Sequence, residues 1–314
     1  MSLIKQPFED FLNLLKSLPP ADSCAAKSAS TAVKGMTYGL GKSGQLGSIY
    51  EWLSSWQASK QAKCSEAHIC LFAASHEMGV EAKQISDIIA QSSNGRAPVN
   101  ILCKSHGIGL RILEMAVEIP VQSPVKGPAS KERDAMAAIA FGMESTASGG
   151  HVLALGDIAY GNEANCLAIL SALIGERPEY WAGDFNNDIL TYANECLDAH
   201  PDVINDGLKA LCAFGGREVA AMMGGIIAAR SQRIPVVLDG WAALAAATIL
   251  KSLKSDSIDH CIAASAASKA QAKAWATIGL HPLLQIDMDM GQGCGAALAL
   301  GVIKSSAELF CSTD

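Results

Sequence analysis

The chain is poor in charge and has no concentration of basic residues. Of its 314 residues, 18% are charged and 50% are hydrophobic, and an excess of acidic groups gives a net charge of −7. Proteins that bind nucleic acid or anionic membranes need basic patches, and none offsets this acidity. The composition therefore argues against both kinds of partner. It supports one large domain, or one large and one small, with an ample core.

Cysteine is present, but not in a metal-binding pattern. The ten cysteines include no C-x-x-C pair, and none lies at zinc-ligand spacing from a histidine pair. We therefore expect no metal site and no other cofactor. Reduced and mostly buried thiols are the simplest interpretation of these cysteines.

Long apolar runs are also missing. The alanine-rich stretch that begins at Trp241 is interrupted at Lys251, well short of the length of a membrane span. The first residues, M-S-L-I-K-Q-P-F-E-D-F-L, carry an acidic pair where a signal peptide needs an apolar core. We expect a soluble, cytoplasmic protein with no membrane contact.

Residues 1–60 have a helical pattern. Apolar side chains from Phe8 to Leu18 fall on one helical stripe, which Pro19 stops. A second helix is predicted from Leu46 to Lys60, and the glycine- and lysine-rich segment at 34–47 is predicted as a loop. These residues, with part of the C-terminal end, are predicted to form a small helical domain, and 61–314 an α/β nucleotide-binding domain.

Six short apolar runs alternate with longer helical patterns in the rest of the chain. Continuous apolar runs suit strands that are covered on both faces, and strands alternating with helices predict a parallel α/β sheet with ligands beyond the carboxyl ends of the strands. The run at 110–117 also fits a helix. The six runs lie at 68–74, 110–117, 151–158, 234–240, 260–264 and 282–287.

A glycine-rich turn follows the third predicted strand. Gly156, Asp157, Gly161 and Asn162 precede an apolar helix. Such a turn offers free N–H groups and the positive end of the helix dipole to an anion, typically a phosphate. The pattern is neither G-x-G-x-x-G nor a Walker loop, so an ordinary strand-to-helix turn is an equal alternative.

Two further glycine clusters stand out. Gly215 and Gly216 precede a small-residue helix that the pair at 224–225 interrupts, at a cost of about 1 kcal/mol per glycine relative to alanine. Close packing of a neighbouring backbone explains that pair better than a ligand does. Near the C-terminus, D-M-G-Q-G-C-G surrounds Gln292 with Gly291 and Gly293, and dense glycine there lets a backbone approach a ligand closely.

Cys294 and His76 are the remaining candidates for chemistry. Cys294 has no histidine following it, so a small buried thiol is more plausible than a nucleophile. His76 follows the first predicted strand, which makes it more suggestive than the other histidines, although a single histidine is more often structural.

Taken together, these segments resemble the nicotinate mononucleotide:5,6-dimethylbenzimidazole phosphoribosyltransferases, which make the lower ligand of cobalamin. The resemblance runs from about Gly44 to Leu300. It is carried by A-L-G-D-I-A-Y-G-N, where the family usually has G-E-M-G-I-G-N-T, by G-G-R-E-V-A-A-M-M-G-G-I-I-A-A-R-S-Q-R-I-P-V-V-L-D-G, by G-L-H-P-L-L-Q-I-D-M-D-M-G-Q-G-C-G-A-A-L-A-L and by G-Q-L-G-S-I-Y-E-W-L.

The resemblance implies a doubly wound, Rossmann-like α/β fold with a mainly parallel six-stranded sheet and a small helical domain built from the chain ends. It also implies a homodimer, or a heterodimer with a related subunit. The implied substrates are nicotinate mononucleotide and an aromatic base. A nitrogen of the base attacks the anomeric carbon, nicotinate leaves, and the product is an α-linked riboside 5′-phosphate.

The resemblance also assigns roles to residues. Gly156, Gly161 and Asn162, the pair Gly215 and Gly216, and Gly291 and Gly293 fall on the phosphate and nucleotide side. Ser75 and His76 fall where the family has an Asp-His pair beside the acceptor-base pocket. Gln292 and Asp157 fall on two family glutamates, of which the first is the general base.

The departures leave three hypotheses. An amide cannot accept the proton of an attacking azole, Asp157 is one methylene shorter than glutamate, and the segment after Gly183 lacks a lysine typical of the family. The chain could transfer phosphoribose with Asp157 or a water as the base. It could use a changed acceptor such as a phenol. It could instead be a catalytically impaired homologue that binds a nucleotide or acts as a partner subunit.

Overall fold

A parallel sheet forms the centre of the protein. The computed structural model describes residues 7–36, 41–79, 81–181, 183 and 185–311. In that part of the chain the sheet has five strands in the order β2-β1-β3-β4-β5, and all neighbours are parallel. The strands are β1 (Ala67–Ala73), β2 (Gly109–Glu114), β3 (Val152–Ile158), β4 (Val236–Leu238) and β5 (Cys261–Ala263).

Helices connect the strands and cover the sheet. Short 3₁₀ turns lie at Met143–Thr146, Pro178–Trp181 and Pro201–Val203. The α-helices are α1 (Glu9–Lys16), α2 (Ser23–Met36), α3 (Gln45–Gln57), α4 (Ala82–Ser93), α5 (Pro98–His106), α6 (Glu132–Gly142), α7 (Glu163–Ile174), α8 (Asn187–Ala199), α9 (Gly207–Phe214), α10 (Arg217–Ser231), α11 (Trp241–Leu253), α12 (Lys269–Thr277) and α13 (Cys294–Phe310).

The sheet separates two hydrophobic cores. Alternate side chains of β1 point to opposite faces: Cys70 and Phe72 join the core built with α6, α7, α9, α10 and α11, whereas Ile69 and Leu71 join the core built with α2, α3, α4, α5 and α13. Burial on both faces explains why the strands read as continuous apolar runs. The prediction of a doubly wound parallel α/β fold is confirmed.

Five of the six predicted strands are present, and the sixth is wrong. Residues 282–287 make only a single parallel bridge, between Leu284 and Ser265. Pro282 has no N–H to donate to a ladder, and Asp287 has a positive φ of 51° that ends the extended conformation. The edge strand β2 stops before the predicted residue 117 because Ala116 also has a positive φ, of 52°.

The N-terminal helices differ from the prediction at one place. The predicted helices around Phe8–Leu18 and Leu46–Lys60 correspond to α1 and α3. The segment predicted as a loop at 34–47 is helical at both ends, because the alanine-rich α2 continues to Met36. Residues 37–40 of that segment lie outside the described residues.

The separation of 1–60 as a small domain stays a prediction. The helices α2 and α3 pack on each other and on α13, so the two chain ends do meet. Phe11 and Leu15 of α1, however, join the core on the opposite face of the sheet. No helix in the described residues combines the length and hydropathy needed to cross a bilayer.

The glycine pair in α10 permits close packing, as predicted. A Cβ on Gly224 would overlap the carbonyl oxygen of Ile139 in α6, and one on Gly225 would lie 2.8 Å from Ser145 Oγ and 3.2 Å from Leu155 Cδ1 of β3. The pair therefore sets the distance between α10, α6 and the sheet.

We expect Gly224→Ala to lower the free energy of unfolding by about 1 to 3 kcal/mol, because the added methyl group overpacks the α6–α10 crossing. Urea denaturation of the purified variant measures this. Gly35→Ala in α2 is the matched control: a Cβ there meets nothing within 4 Å, so the change is expected to be neutral or slightly stabilising. Equal stability of the two variants would contradict the account of the crossing.

Candidate active site

A cavity of about 260 Å³ opens at the carboxyl ends of β3, β4 and β5. Four segments line it: the turn from Asp157 to Glu163, the residues from Asp239 to Ala242, the segment from Ser265 to Gln271, and the glycine-rich turn at 288–295. In parallel α/β sheets the carboxyl edge is the usual place for a ligand. The helices α7, α11 and α13 also begin at this edge.

Asp157 is the carboxylate of the first segment. It is the last residue but one of β3 and accepts a hydrogen bond from Asn162 Nδ2 at 3.3 Å. Burial raises the pKa of Asp157 well above its ordinary range, and the neighbouring carboxylates of Glu218, Glu163 and Asp239 raise it further against the opposing effect of Asn162. Asp157 is therefore a stronger base than an ordinary aspartate once it is deprotonated.

A buried hydrogen-bonded pair, His76 and Glu218, lies behind Asn162. Its amide also donates to Glu218 Oε1 at 3.3 Å, and the same oxygen accepts from His76 Nε2 at 3.0 Å. Burial alone would raise the pKa of Glu218, but His76 and Asn162 hold it below its ordinary value. A chain of hydrogen bonds thus runs from His76 through Glu218 and Asn162 to Asp157.

Gln292 occupies a constrained position in the glycine-rich turn. It has a positive φ of 51°, between Gly291 at 60° and Gly293 at 78°. A glutamine in this conformation is uncommon and is held only where the surroundings require it. Its Nε2 donates to the phenol oxygen of Tyr160 at 3.3 Å, and both side chains line the cavity. Gln292 and Tyr160 therefore present neutral hydrogen-bonding groups to a ligand.

Asp239 is a cavity residue that the sequence analysis missed. It follows β4 directly, accepts from Ala296 N at 2.9 Å and from Ser265 Oγ at 3.1 Å, and so ties the start of α13 to the end of the sheet. Burial raises its pKa, and these two hydrogen bonds oppose the shift. The available signal was V-V-L-D-G, an aspartate at a strand end followed by glycine.

The structure gathers some of the predicted residues and separates others. Asp157, Asn162, Gly291, Gln292 and Gly293 line the cavity. Gly161 allows close backbone packing, since a Cβ there would overlap the backbone of Gly79, whereas a Cβ on Gly156 would lie 3.1 Å from the Leu71 side chain and in ordinary contact with Gly293.

The other predicted residues lie elsewhere. Gly215 and Gly216 line a second cavity of about 250 Å³ together with Arg217. Ser75 is buried and donates to the carbonyl oxygen of Val117 at 2.6 Å, and His76 faces Glu218. The acceptor-base role of Ser75 and His76 stays a prediction, with His76 reaching the first cavity only through other side chains.

The cavity lining is rich in carboxylates. Asp157, Glu163, Asp239 and Asp289 all contribute to it, and among the described residues that line it there is no lysine or arginine. Glu163 folds back, so that its Oε2 accepts from the N–H of Gly161 at 3.0 Å. One backbone N–H just before α7, that of Gly161, is therefore engaged by a carboxylate.

Cys294 is the buried thiol that was predicted. It is 1% exposed, and burial raises its pKa to about 11, with a smaller contribution from Asp239, so it is mainly protonated at neutral pH. All ten cysteines are free, and seven are buried. Over the described residues, no group of three or more His, Cys, Asp or Glu side chains is placed to hold a metal ion.

Comparison with known proteins identifies one set of relatives. A family model described as Phosphoribosyltransferase matches residues 18–313. The nicotinate-nucleotide–dimethylbenzimidazole phosphoribosyltransferase of Allorhizobium ampelinum is 35% identical over 98% of this chain and 94% of its own length, and that of Rhizobium meliloti is 34% identical over 98% and 95%.

Solved structures agree in fold. The crystal structure of CobT from Thermus thermophilus is similar with a TM-score of 0.79 at 21% identity, over 91% of this chain and 96% of that one. A second crystal structure from the same organism, of the nicotinate-nucleotide–dimethylbenzimidazole phosphoribosyltransferase, gives a TM-score of 0.78 over 92% and 96%. The α/β architecture is thus shared along nearly the whole chain.

We expect Asp157→Asn to stabilise the protein increasingly as pH rises. The pKa of Asp157 is raised in the folded state, so the native protein binds its proton more tightly than the unfolded chain does. The wild type then loses stability as pH rises above the ordinary aspartate value of 3.8. The variant lacks this loss, and its advantage is expected to grow by on the order of 1 kcal/mol or more between pH 4.5 and pH 8.

Urea unfolding of both proteins across that range measures the difference. Asp202→Asn is the matched control, since the Asp202 side chain is 74% exposed. If the difference in unfolding free energy between Asp157→Asn and the wild type does not change with pH, the electrostatic account of the cavity would be contradicted.

Proposed function

Because this chain belongs to the nicotinate-nucleotide–dimethylbenzimidazole phosphoribosyltransferase family, we propose that it transfers the phosphoribosyl group of nicotinate mononucleotide to an aromatic base. This reaction releases nicotinate and serves synthesis of the cobamide nucleotide loop. The observation that carries the proposal is the meeting of Asp157, Asn162 and Gln292 in one cavity at the carboxyl edge of the sheet.

The reaction requires a proton acceptor. A ring nitrogen of the base forms a bond to the anomeric carbon of the ribose, and the bond from that carbon to the nicotinate nitrogen breaks with its electron pair. The N–H proton of the base must then leave. Gln292 cannot take it, because an amide carbonyl has almost no basicity at neutral pH. We assign the proton to Asp157, whose burial among other carboxylates raises its pKa towards the range that favours a general base.

The phosphate is assigned to the start of α7. Gly161 and Asn162 lie there, and a helix N-terminus supplies N–H donors and a positive dipole. Glu163 holds the N–H of Gly161 at 3.0 Å, so this carboxylate has to turn away before a phosphate can take the same donor. Gly215 and Gly216 border a separate cavity. Their proposed contribution to nucleotide binding is indirect, through Glu218, whose carboxylate lies against Gly216.

A changed acceptor is the second candidate, and one observation favours it. The Gln292 amide and the Tyr160 phenol form a hydrogen-bonded pair on the cavity wall, and four carboxylates share that wall. This is a polar surface, suited to an acceptor that carries hydroxyl or N–H groups, such as a phenol or an amino-substituted base. Gln292 would then hold the acceptor by hydrogen bonds while Asp157 takes its proton.

We further propose that the protein acts in the cytoplasm on these small molecules, without nucleic acid or membrane. A homodimer, or a heterodimer with a related subunit, is the proposed assembly. Size-exclusion chromatography with light scattering tests the first alternative.

The direct test is nicotinate release from nicotinate mononucleotide across a panel of benzimidazoles, purines and phenols. We expect release with at least one acceptor, and the acceptor with the highest kcat/KM identifies what the cavity accommodates. Silence across the whole panel from folded protein would overturn the proposal. Nucleotide-dependent thermal stabilisation without turnover would then identify a binding protein.

We expect Gln292→Glu to raise the rate of nicotinate release with a benzimidazole acceptor, by roughly 10-fold or more, since a second carboxylate adds general-base catalysis. Steady-state kinetics of wild type and variant measure the effect. Gln292→Met, which has similar length but no acceptor or base, is the control and is expected to give no gain. An unchanged rate in Gln292→Glu would show that the acceptor nitrogen does not approach residue 292.

A further inference from the structure

The hydrogen-bonded pair of His76 and Glu218 is among the most deeply buried polar groups in the described structure. Their side chains are 2% and 0% exposed, and Nε2 of His76 lies 3.0 Å from Oε1 of Glu218. Neither residue lines the cavity that holds Asp157. A carboxylate out of contact with water is costly to the fold unless it is hydrogen-bonded, so the placement of Glu218 opposite His76 calls for a reason beyond packing.

The hydrogen-bond pattern of the pair is incomplete. Within the described residues, Nδ1 of His76 and Oε2 of Glu218 are buried and have no hydrogen-bond partner. Buried polar atoms in folded proteins are nearly always satisfied, and the exceptions need an explanation. The bonds that the pair does make lead to Asn162, and through it to the cavity.

Asn162 joins the pair to Asp157. Its single amide nitrogen donates to Glu218 Oε1 and to Asp157 Oδ2, at 3.3 Å in both cases. An amide nitrogen has two hydrogens, so both are used, and the orientation of Asn162 is fixed from two sides. Loss of Glu218 as an acceptor would free the amide and release one oxygen of Asp157.

The charges around Asp157 come from three elements. Glu218 lies on α10, Glu163 on α7 and Asp239 directly after β4, and all three raise the pKa of Asp157 in addition to its burial. His76, after β1, faces Glu218 rather than Asp157. His76 therefore fixes the position of the Glu218 carboxylate, and the negative charge of that carboxylate raises the pKa of Asp157.

We propose that Glu218 and His76 are positioning residues that hold Asn162, and through it the Asp157 carboxylate, in the orientation needed to accept the proton of the attacking base. This rests on the function proposed above. The proton leaves the ring nitrogen as the new C–N bond forms, passes to the Asp157 carboxylate, and is released to water when product leaves. His76 and Glu218 take no part in bond making. They act through the hydrogen bonds of Asn162 and through the negative charge of Glu218.

The test is the pH dependence of kcat/KM in Glu218→Gln and Glu218→Asp. Glutamine keeps the shape but removes the charge, so the acid limb of the profile is expected to move to lower pH. The plateau is expected to fall roughly 3- to 10-fold, since a weaker base is a poorer catalyst. Aspartate keeps the charge, and its acid limb is expected to stay near the wild-type position.

An ion pair with one buried partner and one exposed partner provides the control. Arg230, 2% exposed, pairs with Asp256 at 3.5 Å on the opposite end of α10, and Asp256→Asn is expected to leave the pH profile unchanged. A Glu218→Gln protein that is folded and active with the wild-type acid limb would overturn the proposal.

A direct titration keeps the test independent of turnover and of the folding of the variant. The carbon-13 carboxyl signal of Asp157 in the wild type, assigned by its absence in Asp157→Asn, is expected to titrate well above the ordinary aspartate range. Titration in that ordinary range would overturn the proposal even if the variant does not fold. If no acceptor in the panel supports nicotinate release but the Asp157 signal titrates well above the ordinary aspartate range, only the proposed function would be overturned.

Discussion

The structure depends on how it accommodates carboxylates packed at the carboxyl edge of its sheet. Asp157, Asp239 and Glu218 meet there at the ends or beginnings of buried elements, where a charge is expensive unless it is paired or hydrogen-bonded. Each carboxylate accepts different hydrogen bonds. Asp239 accepts from the backbone of Ala296 and from Ser265, and Glu218 accepts from His76. Asp157 accepts one bond, from the Asn162 amide. Asp157 is the least compensated of the three, and it lines the cavity together with Asp239.

That difference connects stability with function. A carboxylate that is fully satisfied is stable and weakly basic, whereas one crowded by like charges is costly to the fold and more basic. The glycine-rich turn follows the same logic, since Gln292 is held at a positive φ by its surroundings and its amide is directed at Tyr160. The site therefore contains two energetically unfavourable features, a carboxylate crowded by like charges and a glutamine at a positive φ. The stability of the two large hydrophobic cores offsets their cost.

The fold was largely predictable from the sequence, and the site only partly. Apolar runs such as 68–74 and 151–158 predicted buried parallel strands because burial on both faces leaves no alternation. The run at 282–287 also carries apolar residues but is not a strand, because Pro282 and the positive φ of Asp287 are local constraints that hydrophobicity does not report. The extension of α2 through the exposed Gly35 reflects the alanine content of the helix, which outweighs the low helix propensity of one glycine.

The site residues that sequence analysis missed have one feature in common. Glu218 and Asp239 stand in segments whose glycines attracted attention, yet their roles come from side chains that are distant in sequence: His76 is 142 residues from Glu218, and Ala296 is 57 residues from Asp239. No spacing rule within one segment reports such contacts. Ser75 and His76 do not line the cavity that holds Asp157, and their predicted place beside the acceptor base stays a prediction.

The central claim is that Asp157 accepts the proton of the attacking base. Nicotinate release by Asp157→Asn, measured at saturating nicotinate mononucleotide with the best acceptor of the wild type, tests it most directly. The account predicts a rate lower by roughly 10²- to 10⁴-fold, with the affinity for the nucleotide little changed. A rate within about threefold of the wild type would contradict it, because general-base help of the typical size would then be missing.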